Sequence, residues 1–170
     1  MQRSLESKII SRGDLPERCR QLKAAGKTIV TTNGCFDFLH LGHIRYLIEA
    51  KALGDILICG LNSDASVRRL KGPMRPIFDG ATRSLQLAAL EAVDYVTVFE
   101  EDTPEFFLGQ VCPAIHVKGG DYDPTKLPER AVVESHGGVV KCLSLVQGFS
   151  TTNLIRKLKL LSEKESSSNF

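Results

Sequence analysis

The stretch Thr28-Ile-Val-Thr-Thr32, followed at once by Asn33-Gly-Cys-Phe-Asp-Phe-Leu-His-Leu-Gly-His43, decides how this chain reads. Its first part is β-branched throughout and short, as expected of a strand buried on both faces of a parallel sheet. Its second part turns directly into a predicted helix near Gly42 to Leu53, ended by Gly54. Gly34 and Gly42 let the backbone come close to a ligand, and the free amides at a helix start, aided by its dipole, favour a phosphate. His40 stands just before that helix and His43 in its first turn, so both imidazoles can point at one anion. The same residues admit two other readings: a metal site with Cys35 and Asp37 nearby, and loop histidines satisfied by backbone bonds.

Outward from this segment the pattern repeats. An opening helix is signalled by Asp14 as cap, Glu17 three residues on as in a capping box, and Gly26 after the last turn. Downstream come the strand Ile56 to Gly60, a short helix near Asp64 to Leu70, a helix from Thr82 to Ala92 and the strand Tyr95 to Phe99. Thr103 to Val111 reads as helix, Ala114 to Lys118 as strand, Pro128 to His136 as helix, Val139 to Leu143 as strand, and Ser150 to Leu161 as a last helix. Five apolar strands separated by helices predict an α/β fold, a Rossmann-like, doubly wound, five-stranded parallel sheet in one domain over residues 1–161. The Ser/Glu/Lys-rich stretch 162–170 is expected to be a flexible tail.

Composition agrees with one buried core: 170 residues, 42% hydrophobic and 25% charged. A net charge of +2, with Lys and Arg scattered among Asp and Glu, argues against a nucleic-acid surface. Met1 to Ile10 lacks the pattern of a signal peptide, and no apolar run approaches the roughly 18 residues that span a bilayer. Cys19, Cys35, Cys59, Cys112 and Cys142 are odd in number, widely spaced and without a C-x-x-C pair, so a reducing cytoplasm is the expected location.

In parallel α/β sheets, ligands bind beyond the carboxyl ends of the strands. That rule selects Asn33 to His43, Asn62 to Asp64, Lys118 to Asp123 and Leu145 to Thr152. Thr32-Asn-Gly-Cys-Phe-Asp37 with His40-Leu-Gly-His43 resembles the signature of the cytidylyltransferase-like superfamily. Gly60-Leu-Asn-Ser-Asp-Ala-Ser-Val-Arg-Arg-Leu-Lys-Gly72, Val117-Lys-Gly-Gly-Asp-Tyr122 and Gly148-Phe-Ser-Thr-Thr152 bring the resemblance closer, to the D-glycero-β-D-manno-heptose 1-phosphate adenylyltransferases. It covers Ile9 to Leu160. Such enzymes join ATP to a heptose 1-phosphate with Mg²⁺, giving ADP-heptose and pyrophosphate for the lipopolysaccharide inner core. Many carry a fused sugar kinase domain; this sequence shows none, so a stand-alone form is expected, and the resemblance implies a homo-oligomer with no membrane partner.

The resemblance implies roles residue by residue. His40, His43 and Lys71 are the expected catalytic donors. Cys35, Phe36, Gly42, Lys118, Gly119, Asp121, Ser150, Thr151 and Thr152 are expected at the nucleotide, and Asn33, Asp37, Asn62, Arg75 and Arg83 at the sugar phosphate or triphosphate. Each has a plainer explanation: a solvated loop lysine for Lys71, a Gly-Gly turn for Lys118 to Asp121, and a helix cap for Ser150 to Thr152 or Ser63. Arg83 reads as an arginine on an exposed helix face. Cytidylyltransferases for glycerol 3-phosphate and choline phosphate carry an arginine where this chain has Leu145-Val-Gln147, which favours an adenylyl donor. In-line displacement at phosphorus needs no thiol, so Cys35 is expected to pack, and His116 and His136 to be structural. Two other functions stay open at this point: transfer to another acceptor, such as glycerol 3-phosphate or a flavin nucleotide, and a nucleotide-binding regulator without turnover.

Overall fold

The computed structural model describes residues 4–120, 123, 126–144, 148 and 151–161, and the backbone of 162–167. After a 3₁₀ turn at Glu6–Lys8, the described residues form five strands with seven helices between and around them. They are α1 (Leu15–Ala24), β1 (Ile29–Gly34), α2 (Leu41–Lys51), β2 (Ile56–Asn62), α3 (Asp64–Lys71), α4 (Gly80–Ala88) and β3 (Tyr95–Phe99). Then follow α5 (Glu105–Val111), β4 (Ile115–Gly119), α6 (Arg130–Ser135), β5 (Val139–Leu143) and α7 (Thr151–Ser167). The sheet is parallel throughout in the order β3-β2-β1-β4-β5. The chain therefore lays β2 and β3 to one side of β1 and then crosses to place β4 and β5 on the other. A parallel sheet that reverses direction in this way opens a crevice at the carboxyl ends of the two strands flanking the reversal, here β1 and β4.

Alternation along the strands builds the two faces. Leu57, Cys59 and Leu61 of β2 pack with Val30, with Leu47 and Ala50 of α2, and with Leu87 and Ala88 of α4. Ile58, one residue out of phase, joins Ile29, Leu15 and Cys19 of α1, Phe107 and Leu108 of α5, and Val133 of α6. Both faces are thus covered, which is why β2 and β3 read as largely apolar runs. Gly60 shares the second face for a steric reason: a Cβ there would stand 2.8 Å from the Phe107 ring, so only glycine lets that aromatic lie flat on the sheet.

Three sequence expectations need correction. The capping box at α1 does not form: Asp14 has helical dihedrals and makes no side-chain cap bond. Its carboxylate instead accepts from Ser11 Oγ at 2.6 Å, while Glu17 pairs with Arg20 and Gln21. The helix predicted from Thr82 starts at Gly80, because Asp79 Oδ1 accepts from the Thr82 amide at 2.7 Å and caps it. The last helix does not stop at Leu161 but continues to Ser167. Among the described residues no helix is long and apolar enough to cross a membrane.

Candidate active site

β1 ends at Asn33 and Gly34, and the chain crosses the carboxyl edge of the sheet before α2 begins. His40 is the N-cap of α2: in an extended conformation, its Nδ1 accepts from the His43 amide at 3.4 Å. That bond leaves the proton of a neutral His40 on Nε2, the nitrogen directed away from the helix. The two imidazoles stack with centroids 3.9 Å apart, and the Phe36 ring meets His43 edge-on at 5.4 Å. Phe36 is buried in the left-handed region, φ 42°, a conformation that costs a non-glycine residue about 1 kcal/mol or more. It is held there by its packing against His43 and the α2 core. Gly34 leaves it room, since a Cβ at that position would lie 3.2 Å from the Phe36 ring.

α2 is pinned to the sheet from below. Tyr46 Oη donates to the Val117 carbonyl of β4 at 2.8 Å, so the Thr32 hydroxyl of β1, 2.5 Å away, donates to Tyr46 Oη. One phenol thereby joins the histidine helix to both strands that border the crevice. Burial lowers the pKa of both histidines. For His43 the removal from water comes first and the His40 ring adds to it, against the Phe38 carbonyl, and the result is about 4; His40 is lowered by burial alone. Both rings are neutral at pH 7 in the free protein, each offering a single N–H donor.

Above them lies a cavity of about 590 Å³. It is lined from β1 and α2 by Asn33, Gly34, Cys35, Phe36, Asp37, His40, Gly42, His43 and Tyr46, and from the β2 and β3 side by Asn62, Leu70, Lys71, Arg75, Asp102, Thr103 and Pro104. Lys118, Gly119, Pro128, Glu129, Thr151 and Thr152 close it from the β4 and β5 side. The structure thus gathers into one cleft all but one of the described residues to which the resemblance gives a role. Asp121 and Ser150, also selected, lie outside the described residues, as do Tyr122 and Leu145-Val-Gln147. Lys71 is the final residue of α3 rather than part of the proline loop, and Lys118 stands in β4 as expected, with the strand running one residue further to Gly119.

The exception is Arg83. It is not a substrate contact on an open helix face: it is wholly buried, donating to the Cys35 carbonyl at 2.6 Å, the Phe78 carbonyl at 3.0 Å and Asp64 Oδ1 at 2.6 Å. Asp37 lines the cleft, yet its carboxylate is consumed: Oδ1 accepts the Ile77 and Phe78 amides at 2.7 and 3.1 Å, and Oδ2 pairs with Arg75. Asn62 is likewise occupied, donating to Ser66 Oγ at 3.0 Å, and Ser63 caps α3. Asp37 and Arg83 shape the site by tying the 72–78 loop to the histidine loop. Replacement of Arg83 by methionine leaves two carbonyls and a carboxylate without their donor, and is expected to cost about 3 kcal/mol or more in urea unfolding. A loss below about 1 kcal/mol would show that the guanidinium is dispensable.

The metal reading of the histidine loop finds no matching geometry. Asp37 is spent on the 72–78 loop, His40 Nδ1 is spent as a cap, and among the described residues no group of three or more His, Cys, Asp or Glu side chains converges. The Cys35 thiol is pushed up by burial, with Lys71, Arg83 and Arg75 opposing, which suits a packing thiol rather than a nucleophile. His116 is structural as expected, buried in β4 with its Nδ1 2.9 Å from Thr31 Oγ1. His136, at the end of α6, is 2.8 Å from the Val132 carbonyl. Sequence reading passed over Tyr46, three residues beyond His43 on α2, and Glu129. The helical spacing held a signal for the first; nothing in the sequence marked the second.

Three comparisons bear on this cleft. A family model described as Cytidylyltransferase-like matches residues 31–157. Curated relatives include a bifunctional protein HldE of Geobacter metallireducens, 57% identical over 80% of this chain and 28% of that protein, and one of Haemophilus influenzae, 49% identical over 91% of this chain and 33% of that protein. The chain therefore spans about a third of the length of these relatives. Among solved structures, the lipopolysaccharide core biosynthesis protein of Thermoplasma volcanium is similar with a TM-score of 0.59 and 33% identity, over 71% of this chain and 98% of that one. The match runs through β1, the histidine loop and α2 to the start of α7, all the elements that build the cleft, and the chain belongs to the cytidylyltransferase-like family of nucleotidyltransferases.

Proposed function

We propose that this nucleotidyltransferase transfers AMP from ATP to D-glycero-β-D-manno-heptose 1-phosphate, releasing pyrophosphate and forming ADP-heptose for the lipopolysaccharide inner core. The carrying observation is the pair of stacked, neutral imidazoles at the start of α2, facing a cleft with Lys71 at its rim. A phosphate oxygen of the sugar attacks the α-phosphorus in line, and the bond to the β-phosphate breaks. Negative charge grows on the α-phosphoryl oxygens and on the departing pyrophosphate, where fixed donors are worth most. The His40 and His43 N–H groups, the α2 amides and the Lys71 ammonium supply such donors without a covalent intermediate. The start of α7, with Thr151 and Thr152, adds a second helix N-terminus to the cleft.

Among the described residues the cleft carboxylates Asp37, Asp102 and Glu129 are each paired with a cation, so Mg²⁺ is taken as part of the ATP substrate, held by phosphates and water. Support for the adenylyl donor and the heptose acceptor comes from the sequence resemblance, and the similarity to a lipopolysaccharide core biosynthesis protein agrees with the pathway. Use of ATP fits a cytoplasmic location. Pyrophosphate release with Mg²⁺, measured for ATP and CTP against the heptose 1-phosphate and glycerol 3-phosphate, tests the assignment. Turnover is expected only with ATP and the heptose phosphate. Turnover with CTP and glycerol 3-phosphate would overturn the substrates, and silence in every combination would favour a nucleotide-binding regulator.

A further inference from the structure

Three described cations line the cleft, and they are not electrostatically equal. Arg75 is paired with Asp37, whose side chain is fully buried. Lys118 Nζ stands 2.7 Å from Glu129 Oε1, and the Glu129 side chain is 2% exposed. Lys71 pairs with no carboxylate among the described residues. A carboxylate as buried as Glu129 is expensive to leave without its cation. Burial pushes the Glu129 carboxyl up, but Lys118, with the Glu129 backbone amide and His116 behind it, brings the net direction down, so the pair stays ionised. His116, whose Nε2 is 3.9 Å from Glu129 Oε1, is neutral at pH 7 and cannot take over from Lys118. Lys118 is therefore held at the wall by a group it cannot leave, and its charge is already cancelled.

We infer that Lys118 and Glu129 form a charge-neutral wall of the cleft that receives an uncharged, hydrogen-bonding part of the substrate, while Lys71 carries the charge of the polyphosphate. Glu129 is a positioning residue: it fixes the Lys118 ammonium and leaves its remaining N–H donors for neutral oxygen or nitrogen acceptors. Hydroxyls of the nucleoside or of the sugar both supply that chemistry. The inference rests on reading the cleft as a polyphosphate site.

The test is calorimetric titration of inorganic pyrophosphate into the wild-type protein and into Lys71→Met, Lys118→Met and Glu129→Gln, with steady-state KM values for both substrates. Lys71→Met is expected to weaken pyrophosphate about tenfold or more, as loss of a charge-assisted contact does. Lys118→Met is expected to change it by less than about threefold, and Glu129→Gln to tighten it, because the ammonium is then uncompensated. Lys118→Met should instead raise one KM: that for ATP if the wall meets the nucleoside, that for the acceptor if it meets the sugar. The double variant Lys118→Met/Glu129→Gln removes both charges at nearly constant shape and replaces the single variant if that one fails to fold. Equal loss of pyrophosphate binding in Lys71→Met and Lys118→Met, or an unchanged KM for both substrates, would overturn the inference while leaving the polyphosphate site intact. A wild-type protein that binds neither pyrophosphate nor ATP would sink that site and this inference with it.

Discussion

His43→Ala is expected to lower kcat by roughly 10²-fold or more, the size of effect seen when one fixed transition-state donor is removed, with a much smaller change in KM for ATP. The distinction follows from what the ring does in the free protein. His43 is half-buried, neutral and stacked on His40, with its Nδ1 lacking a hydrogen-bond partner. In the proposed reaction a neutral N–H is a modest contact for a ground-state triphosphate that Lys71 and two helix starts would hold. It becomes a strong one as charge accumulates on the reacting phosphoryl group. Interactions that strengthen only in the transition state appear in kcat rather than in KM.

The variant is also a fair test of chemistry rather than of folding, because the contact that caps α2 runs from the His43 backbone amide to His40 Nδ1 and survives the substitution. His40→Ala removes a donor and the helix cap together, so part of its effect would be about 1 kcal/mol of lost stability. Thermal unfolding alongside kinetics separates the two. Near-normal turnover by a folded His43→Ala protein would sink the proposed mechanism.

How much of this was legible in the sequence varies with the distance over which each feature is decided. The strands Tyr95–Phe99 and Val139–Leu143 coincide with their predicted bounds: the first is an apolar run buried along almost its whole length, and the second, half-exposed at the sheet edge, is bounded by Gly138 and Ser144. The histidine loop and Lys118 emerged from the same local logic, since the ends of parallel strands are where the cleft must lie. Arg83 was misjudged because helical spacing places a residue on a face but does not say what covers that face. Its partners at Cys35, Asp64 and Phe78 are brought together only by the fold. Tyr46 meets a carbonyl 71 positions away, and Glu129 pairs with Lys118 of β4. Asp14 failed as a cap for a purely local reason: its own helical dihedrals direct the carboxylate to Ser11 instead.

Acid is expected to destabilise the free protein well before its carboxylates titrate. His43 and His116 both stand at about 4 in the fold, against an ordinary imidazole value of 6.5, and in both burial is the leading cause. For His116 the Lys118 ammonium adds to the lowering, while Glu129 and the contact with Thr31 oppose it. Between pH 6.5 and 4 the unfolded chain takes up protons at these two positions and the folded chain does not. Stability is therefore intact above pH 6.5 and is lost progressively as pH falls toward 4. His116, fully buried, accounts for a loss on the order of 2 kcal/mol between pH 7 and pH 5, and His43, partly open to the cleft, adds less. The lowered carboxylates Glu17, Asp55, Asp79, Asp102 and Glu129 release their stabilisation only at lower pH, so this window belongs to the imidazoles. Urea unfolding across pH 7 to 5 should show the decline in the wild-type protein. His116→Gln, which cannot be protonated, should start from a lower stability at pH 7 and fall less steeply. Parallel slopes for the two proteins would mean that His116 is hydrated enough to titrate normally in the fold, and that the β4 wall beside Lys118 and Glu129 is wetter than its geometry indicates.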